Sequence, residues 1–112
     1  MENSPKNTLN NTFDAAKFLN SVSQSAGVYQ MYNAKGKILY IGKANNLKKR
    51  LQNYFNRNDL TPKLEKLVSQ IASIEVSLAE NGTEALILEQ NLIKQHKPPY
   101  NVLLRDDKSY PY

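Results

Sequence analysis

Gly27-Val28-Tyr29-Gln30-Met31-Tyr32-Asn33-Ala34-Lys35-Gly36-Lys37-Ile38-Leu39-Tyr40-Ile41-Gly42 is the stretch that decides the fold. Gly27 to Asn33 and Lys37 to Gly42 are rich in β-formers, and Asn33-Ala34-Lys35-Gly36 between them is a turn signal. The pattern predicts one β-hairpin, with each arm carrying a tyrosine two residues from a glycine. Strand alternation puts Tyr29 and Met31 on one face of the first arm, with Val28, Gln30 and Tyr32 on the other. On the second arm it puts Ile38 and Tyr40 opposite Leu39 and Ile41. A strand tyrosine ordinarily packs its ring and leaves its hydroxyl wet. To act as a base or nucleophile, it needs its ordinary pKa of about 10 lowered by nearby cations. Lys43 and Arg50, in the basic run that follows at once, are the candidates. Hydroxyls, cations and a carboxylate further on would either cut a phosphodiester or form a surface that simply holds nucleic acid.

Outward from the hairpin, Phe13 to Val22 reads as a short helix with Phe13, Ala16, Phe18 and Leu19 on its apolar side. Asn46 to Phe55 reads as a second helix, whose stripe Leu47, Leu51, Tyr54 and Phe55 has helical spacing. Asn45 and Asn46 are placed to cap it, and its N-terminal amides to face a phosphate. Pro62 suits the first turn of a third helix that buries Leu64, Leu67, Val68 and Ile71. Ile74 to Ala79 alternates as a third strand, with Ile74, Val76 and Leu78 on one face. Asn81-Gly82-Thr83-Glu84 has capping-box spacing and opens the longest helix, which ends near Pro98. The order α-β-β-α-α-β-α predicts an α+β fold, a small and mainly antiparallel three-stranded sheet flanked by helices. Residues 1–12 are polar and Asn-rich and are expected to be a flexible N-terminus, with one domain over 13–112.

The 112 residues suffice for one domain with a modest core, and a net charge of +5 favours an anionic partner such as nucleic acid. Cysteine is absent, so disulfides and thiolate metal sites are excluded. His96, the single histidine, leaves no room for a multi-histidine metal site and argues against a Ser-His-Asp triad. No apolar run reaches membrane-spanning length and no signal-peptide core is present, so an intracellular, cytoplasmic protein with no membrane partner is expected.

Glu89 is the residue that composition does not explain. Its helical neighbours Ala85, Leu86, Leu92 and Ile93 are all apolar, which places a carboxylate in the middle of a stripe that should face the sheet. Burying it costs several kcal/mol, roughly, unless it is paired, protonated or bound to a cation. It is therefore half of a buried ion pair, a group at the open edge of a wide stripe, or a metal ligand or acid–base group in a cleft. One carboxylate without histidine or cysteine suits a hard, mostly hydrated ion, Mg²⁺ or Mn²⁺. In the basic run, Lys48 and Arg50 sit on the two shoulders of the apolar stripe while Lys49 points away from it. A solvated helix face would look much the same. Arg is the better phosphate clamp, because its fork is planar and bidentate.

Gly27-Val28-Tyr29, ten residues, then Tyr40-Ile41-Gly42 resembles the signature of the GIY-YIG nuclease family. Lys43 to Leu51, Tyr54-Phe55, Thr83 to Lys94 and Pro99-Tyr100-Asn101 follow in the family's order. Val28 replaces the namesake isoleucine, as is usual in the UvrC branch, which belongs to the bacterial UvrABC excision nucleases. The closing stretch from Leu104 to Tyr112 resembles that same branch. The resemblance implies an N-terminal domain cut from a longer protein and monomeric by itself. It would make the 3′ incision in nucleotide excision repair, on damaged DNA prepared by UvrA and UvrB. It also implies that Glu89 holds the divalent ion, that Arg50 binds the scissile phosphate and that Lys43 depresses the hydroxyl pKa of Tyr40. Tyr40 is then the base for the attacking water, Tyr29 supports it, and Tyr54 and Asn101 complete and orient the site. Lys48 and Lys49 are the expected contacts to the DNA backbone. A non-catalytic nucleic-acid-binding or UvrB-docking module of the same fold is the alternative.

Overall fold

The computed structural model describes residues 13–56 and 60–107, the side chains of 56 and 105–107 excepted. The expected flexible N-terminus and the last residues of the closing stretch lie outside them. The described elements are α1 (Ala15–Ser21), β1 (Gly27–Tyr32), β2 (Ile38–Ala44), α2 (Leu47–Asn56), α3 (Pro62–Gln70), β3 (Ser73–Leu78), α4 (Gly82–His96) and α5 (Pro99–Asp107).

β1 is the central strand of the antiparallel sheet β2-β1-β3. The hairpin closes as its residues require. Asn33 Oδ1 accepts from the amides of Lys35 and Lys37 at 2.9 Å each, and Gly36 supplies the left-handed φ of 79°.

The hairpin departs from simple alternation at one point. Met31 pairs with Tyr40 but Tyr32 pairs with Ile38, so Leu39 is an extra residue on β2. The bulge moves Leu39 onto the face of Tyr40 and sends Ile38 to the face of Ile41, the reverse of the expected grouping. Tyr29, Met31, Leu39 and Tyr40 share a core with Leu19 of α1, Leu47, Leu51 and Tyr54 of α2, and Leu67 of α3. Val28 and Ile41 on the opposite face pack against Ala85, Leu88, Leu92 and Ile93 of α4. The sheet is thus covered on both faces.

The apolar stripe of α2 is buried as predicted at Leu47, Leu51 and Tyr54, with Phe55 partly covered. Leu67 of α3 and Ile71, which caps its C-terminus, are buried, and Leu64 and Val68 pack partly against the core. β3 carries Ile74, Val76 and Leu78 on one face as alternation predicts, and on this edge strand only Ile74 of the three is buried, with Val76 36% and Leu78 60% exposed. α5 is absent from the sequence reading, since Pro98-Pro99 reads as a helix stop. Pro99 is instead its first residue, and Tyr100 and Leu104, one turn apart, are buried in the larger core. The Tyr100 hydroxyl accepts a 2.7 Å hydrogen bond from Gln70, tying α5 to α3.

Candidate active site

β1, β2, α2, α4 and α5 converge on a cleft of about 690 Å³ whose lining includes Tyr29, Tyr40, Lys43, Arg50, Glu89 and Asn101. Of the expected site residues, Tyr54, Lys48 and Lys49 stand outside its lining. Tyr54 lies directly behind it. The Tyr29 and Tyr54 hydroxyls are 2.8 Å apart and hydrogen bonded, and their rings meet edge to face at 5.8 Å between centroids. Tyr40 flanks Tyr29 at 6.1 Å. The bulge at Leu39 is what brings Tyr40 to this side of the sheet.

Gly42 makes the cluster possible. It pairs with Tyr29 across the hairpin, and a Cβ there would run into Cζ and the hydroxyl of Tyr29. Asn101 closes the site from α5. Its Oδ1 accepts from the Ile41 amide at 3.0 Å, and its Nδ2 donates to the Ile41 carbonyl at 2.8 Å. Both ends of the amide are therefore used to hold the edge strand between Tyr40 and Gly42.

Glu89 sits half-buried in the wall of this cleft rather than in the middle of a covered stripe. Ala85, one turn earlier, is fully buried, but Leu86 beside it is 42% exposed, so the stripe is wide and Glu89 lies at its open edge. Gln90, Leu86, Ile93 and Leu104 also line the cleft, and none of them stands out from the sequence as a site residue. Position next to Glu89 on the helix is the one available signal for Gln90.

The N-terminus of α2 does not serve as a phosphate cradle. The amides of Leu47 and Lys48 donate to the carbonyls of Ser25 and Ser23, and the Lys49 amide donates to Asn46 Oδ1. Asn46 is the cap, whereas the Asn45 side chain stands over Gly82 at the start of α4.

The tyrosine pKa values move opposite to the sequence expectation. Burial pushes the Tyr40 hydroxyl far above its ordinary value of 10.0, and Tyr54 and the negative Glu89 add to this while Arg50 opposes it. Lys43 lines the same cleft but is not among these groups. Tyr29 is also raised, by burial first and then by Tyr40, with Tyr54 and Arg50 pulling it down. Tyr54 is raised well above the ordinary range for the same leading reason. All three hydroxyls are protonated at neutral pH. As pH rises through the ordinary value of 10.0 the unfolded chain releases these protons first and the native state keeps them, so native stability is lost above that point. Urea midpoints are expected to hold steady to about pH 9 and fall above about pH 10, with a shallower fall in Tyr54→Phe. A flat profile through that window would show that the cluster is not protected from ionisation.

The donor set fits a hard divalent ion. Among the described residues that line the cleft, Glu89 supplies the carboxylate and Tyr29 and Tyr40 the hydroxyl oxygens. The open cleft leaves room for an ion that keeps most of its water.

Cations, hydroxyls and one carboxylate around an open cleft are the groups that phosphodiester chemistry needs. The chain belongs to the UvrC-like GIY-YIG domain family, whose model matches residues 25–102. It is 56% identical over 104 residues to UvrABC system protein C of Pseudomonas putida strain W619, and 58% identical over 104 residues to that of Shewanella loihica. Those alignments cover 93% of this chain and 17% of each relative, so the chain spans about a sixth of their length. The GIY-YIG N-terminal endonuclease domain of UvrC from Thermotoga maritima, solved with its catalytic magnesium, is similar at 37% identity and a TM-score of 0.69. That match covers 77% of this chain and 93% of the Thermotoga domain. No helix among the described residues is long and apolar enough to cross a membrane.

Proposed function

We propose that residues from about 13 onward form a divalent-metal-dependent DNA endonuclease domain that makes the 3′ incision of nucleotide excision repair. In this reading it is a monomeric domain of a cytoplasmic protein that acts on damaged duplex DNA with UvrA and UvrB. The observation that carries the proposal is the convergence of Arg50, Tyr29, Tyr40 and Glu89 on one cleft. A module that only held DNA would need the cations but not a carboxylate among them.

Each group has a task that its surroundings fit. Arg50, beside the Tyr29 hydroxyl and facing the cleft, clamps the non-bridging oxygens of the scissile phosphate. Lys43 adds a second positive charge on the same wall. Tyr40, protonated when the cleft is empty of substrate, hydrogen bonds the attacking water and orients it for in-line attack. It takes that water's proton as the phenolate, its own proton having first passed to solvent with the Arg50 charge favouring the ionised form. Tyr29 and Tyr54 hold Tyr40 and Arg50 in register from behind. Glu89 would hold Mg²⁺ or Mn²⁺, which when bound supplies positive charge for the leaving 3′ oxygen and the crowded phosphate.

Nicking of a lesion-bearing duplex in the presence of UvrA and UvrB tests the reading. Cleavage is expected with Mg²⁺ or Mn²⁺, to cease in EDTA, and to fall about 100-fold in Arg50→Gln with the circular dichroism spectrum unchanged. Nicking that persisted in EDTA, or in Arg50→Gln at full rate, would reject the proposed site.

A further inference from the structure

A second recess, of about 340 Å³, shares Lys43 and Arg50 with the cleft. Its walls are Lys43, Asn45, Asn46, Lys49, Arg50 and Asn53, with the buried Ala44 at its base. Asn46, Lys49, Arg50 and Asn53 fall at i, i+3, i+4 and i+7, one continuous polar stripe along two turns of α2. This stripe runs beside Leu47, Leu51 and Tyr54, which bury their side of the helix. Three of the lining side chains are cations, three are amides and none is acidic.

The donors of this recess are side chains. The first amides of α2 are already bound to Ser25, Ser23 and Asn46. With Asn46 Oδ1 accepting from Lys49, what Asn46 has left to offer is its N–H donors. Three cations and three amides in a concave site without an acidic side chain fit an anion with several oxygens. Contiguity identifies which one. Lys43 and Arg50 line both hollows, so a strand with its scissile phosphate in the cleft passes its next phosphate across that shared ridge.

From this we infer that the recess of Lys49 and Asn53 is a subsite for the phosphate adjacent to the scissile one on the cut strand. It gives Lys49 a defined contact, in place of a general attraction to DNA, and it assigns Asn53 a role that the motif spacing does not mark. The subsite positions the strand: filling it holds the scissile linkage over Tyr40 and lets Arg50 bridge both phosphates. It rests on the nuclease reading above, and its consequences are separable from it.

The test combines Lys49→Gln and Asn53→Ala with substrates carrying one uncharged methylphosphonate at either linkage flanking the cut. On the all-phosphate substrate each variant is expected to lower incision about fivefold. On one of the two methylphosphonate substrates the wild-type protein is expected to slow by a similar factor, and the variants to add less than about twofold more. Equal losses from Lys49→Gln on all three substrates would overturn the subsite while leaving the nuclease reading intact. Absence of incision by the wild-type protein on every substrate would reject the nuclease reading. The recess would then be judged by the salt dependence of DNA binding in EDTA, where Lys49→Gln is expected to reduce the slope by about one. An unchanged slope there would overturn it as well.

Discussion

Glu89→Gln is expected to lower metal-dependent nicking by about 1,000-fold while leaving fold and DNA binding in place. The substitution is isosteric and the side chain only half-buried, so stability should shift by no more than about 0.5 kcal/mol. What changes is charge. An amide oxygen is a far weaker ligand for a hard dication than a carboxylate, and Glu89 is a lone carboxylate among the described residues of the cleft. The electrostatics of the cluster make the result easier to interpret. Glu89 is one of the groups that raise the Tyr40 pKa, so removing its charge makes Tyr40 easier to ionise and, on that count alone, a more available base. A fall in rate that is partly restored by raising the Mg²⁺ or Mn²⁺ concentration would then point to the lost cation ligand. Rates at saturating Mg²⁺ and Mn²⁺, with binding measured separately in EDTA, provide the check. Nicking at the wild-type rate would remove Glu89 from the metal role and turn attention to the ion-pair reading of this carboxylate.

The features legible in the sequence are those written over short range. The hairpin arms, the turn at Asn33 to Gly36, the stripe of α2 and the capping signal of Asn81 each depend on residues within a few positions of one another. Asn81 does cap α4, accepting from the Glu84 amide, although Glu84 reaches back to Glu80 rather than to Asn81 itself. The parts that escape depend on partners far away in sequence. Leu39 becomes a bulge only because Met31 and Tyr32 pair around it. Alternation assigns Val76 and Leu78 to one face, but carries no information on how much of that face the helices cover. Glu89 stands out as an anomaly from its apolar neighbours alone. Its half-exposed position reflects where α4 overhangs the sheet, which no helical projection contains. The pKa reversal has the same origin. Cations near in sequence suggest a lowered tyrosine, whereas the degree of burial, set by five elements closing together, raises it.

Gly42→Ala is expected to be a severely damaging single-methyl change in the hairpin, costing about 3 kcal/mol and most of the nicking activity. The strand itself gives no reason for a glycine here, since the residue pairs regularly with Tyr29. The reason is the ring laid across it. An added Cβ would collide with Cζ and the hydroxyl of Tyr29 and approach Cε1 to 2.9 Å. Tyr29 has no freedom to yield. It is fully buried, bonded to Tyr54 through its hydroxyl and packed between Tyr40 and Tyr54. Relief must come from the backbone of β2 or from the break of the Tyr29–Tyr54 bond, and either displaces Tyr40 from the cleft wall. Thermal unfolding should show the cost as a drop of about 10–20 °C. A Tyr29→Leu partner change offers a direct control, because a shorter side chain vacates the space the methyl needs. The double variant should be more stable than the sum of the two single losses predicts, by about 1 kcal/mol or more, while remaining inactive. Strict additivity would mean that the ring does not dictate the glycine. The second motif segment would then have to be explained by strand pairing alone.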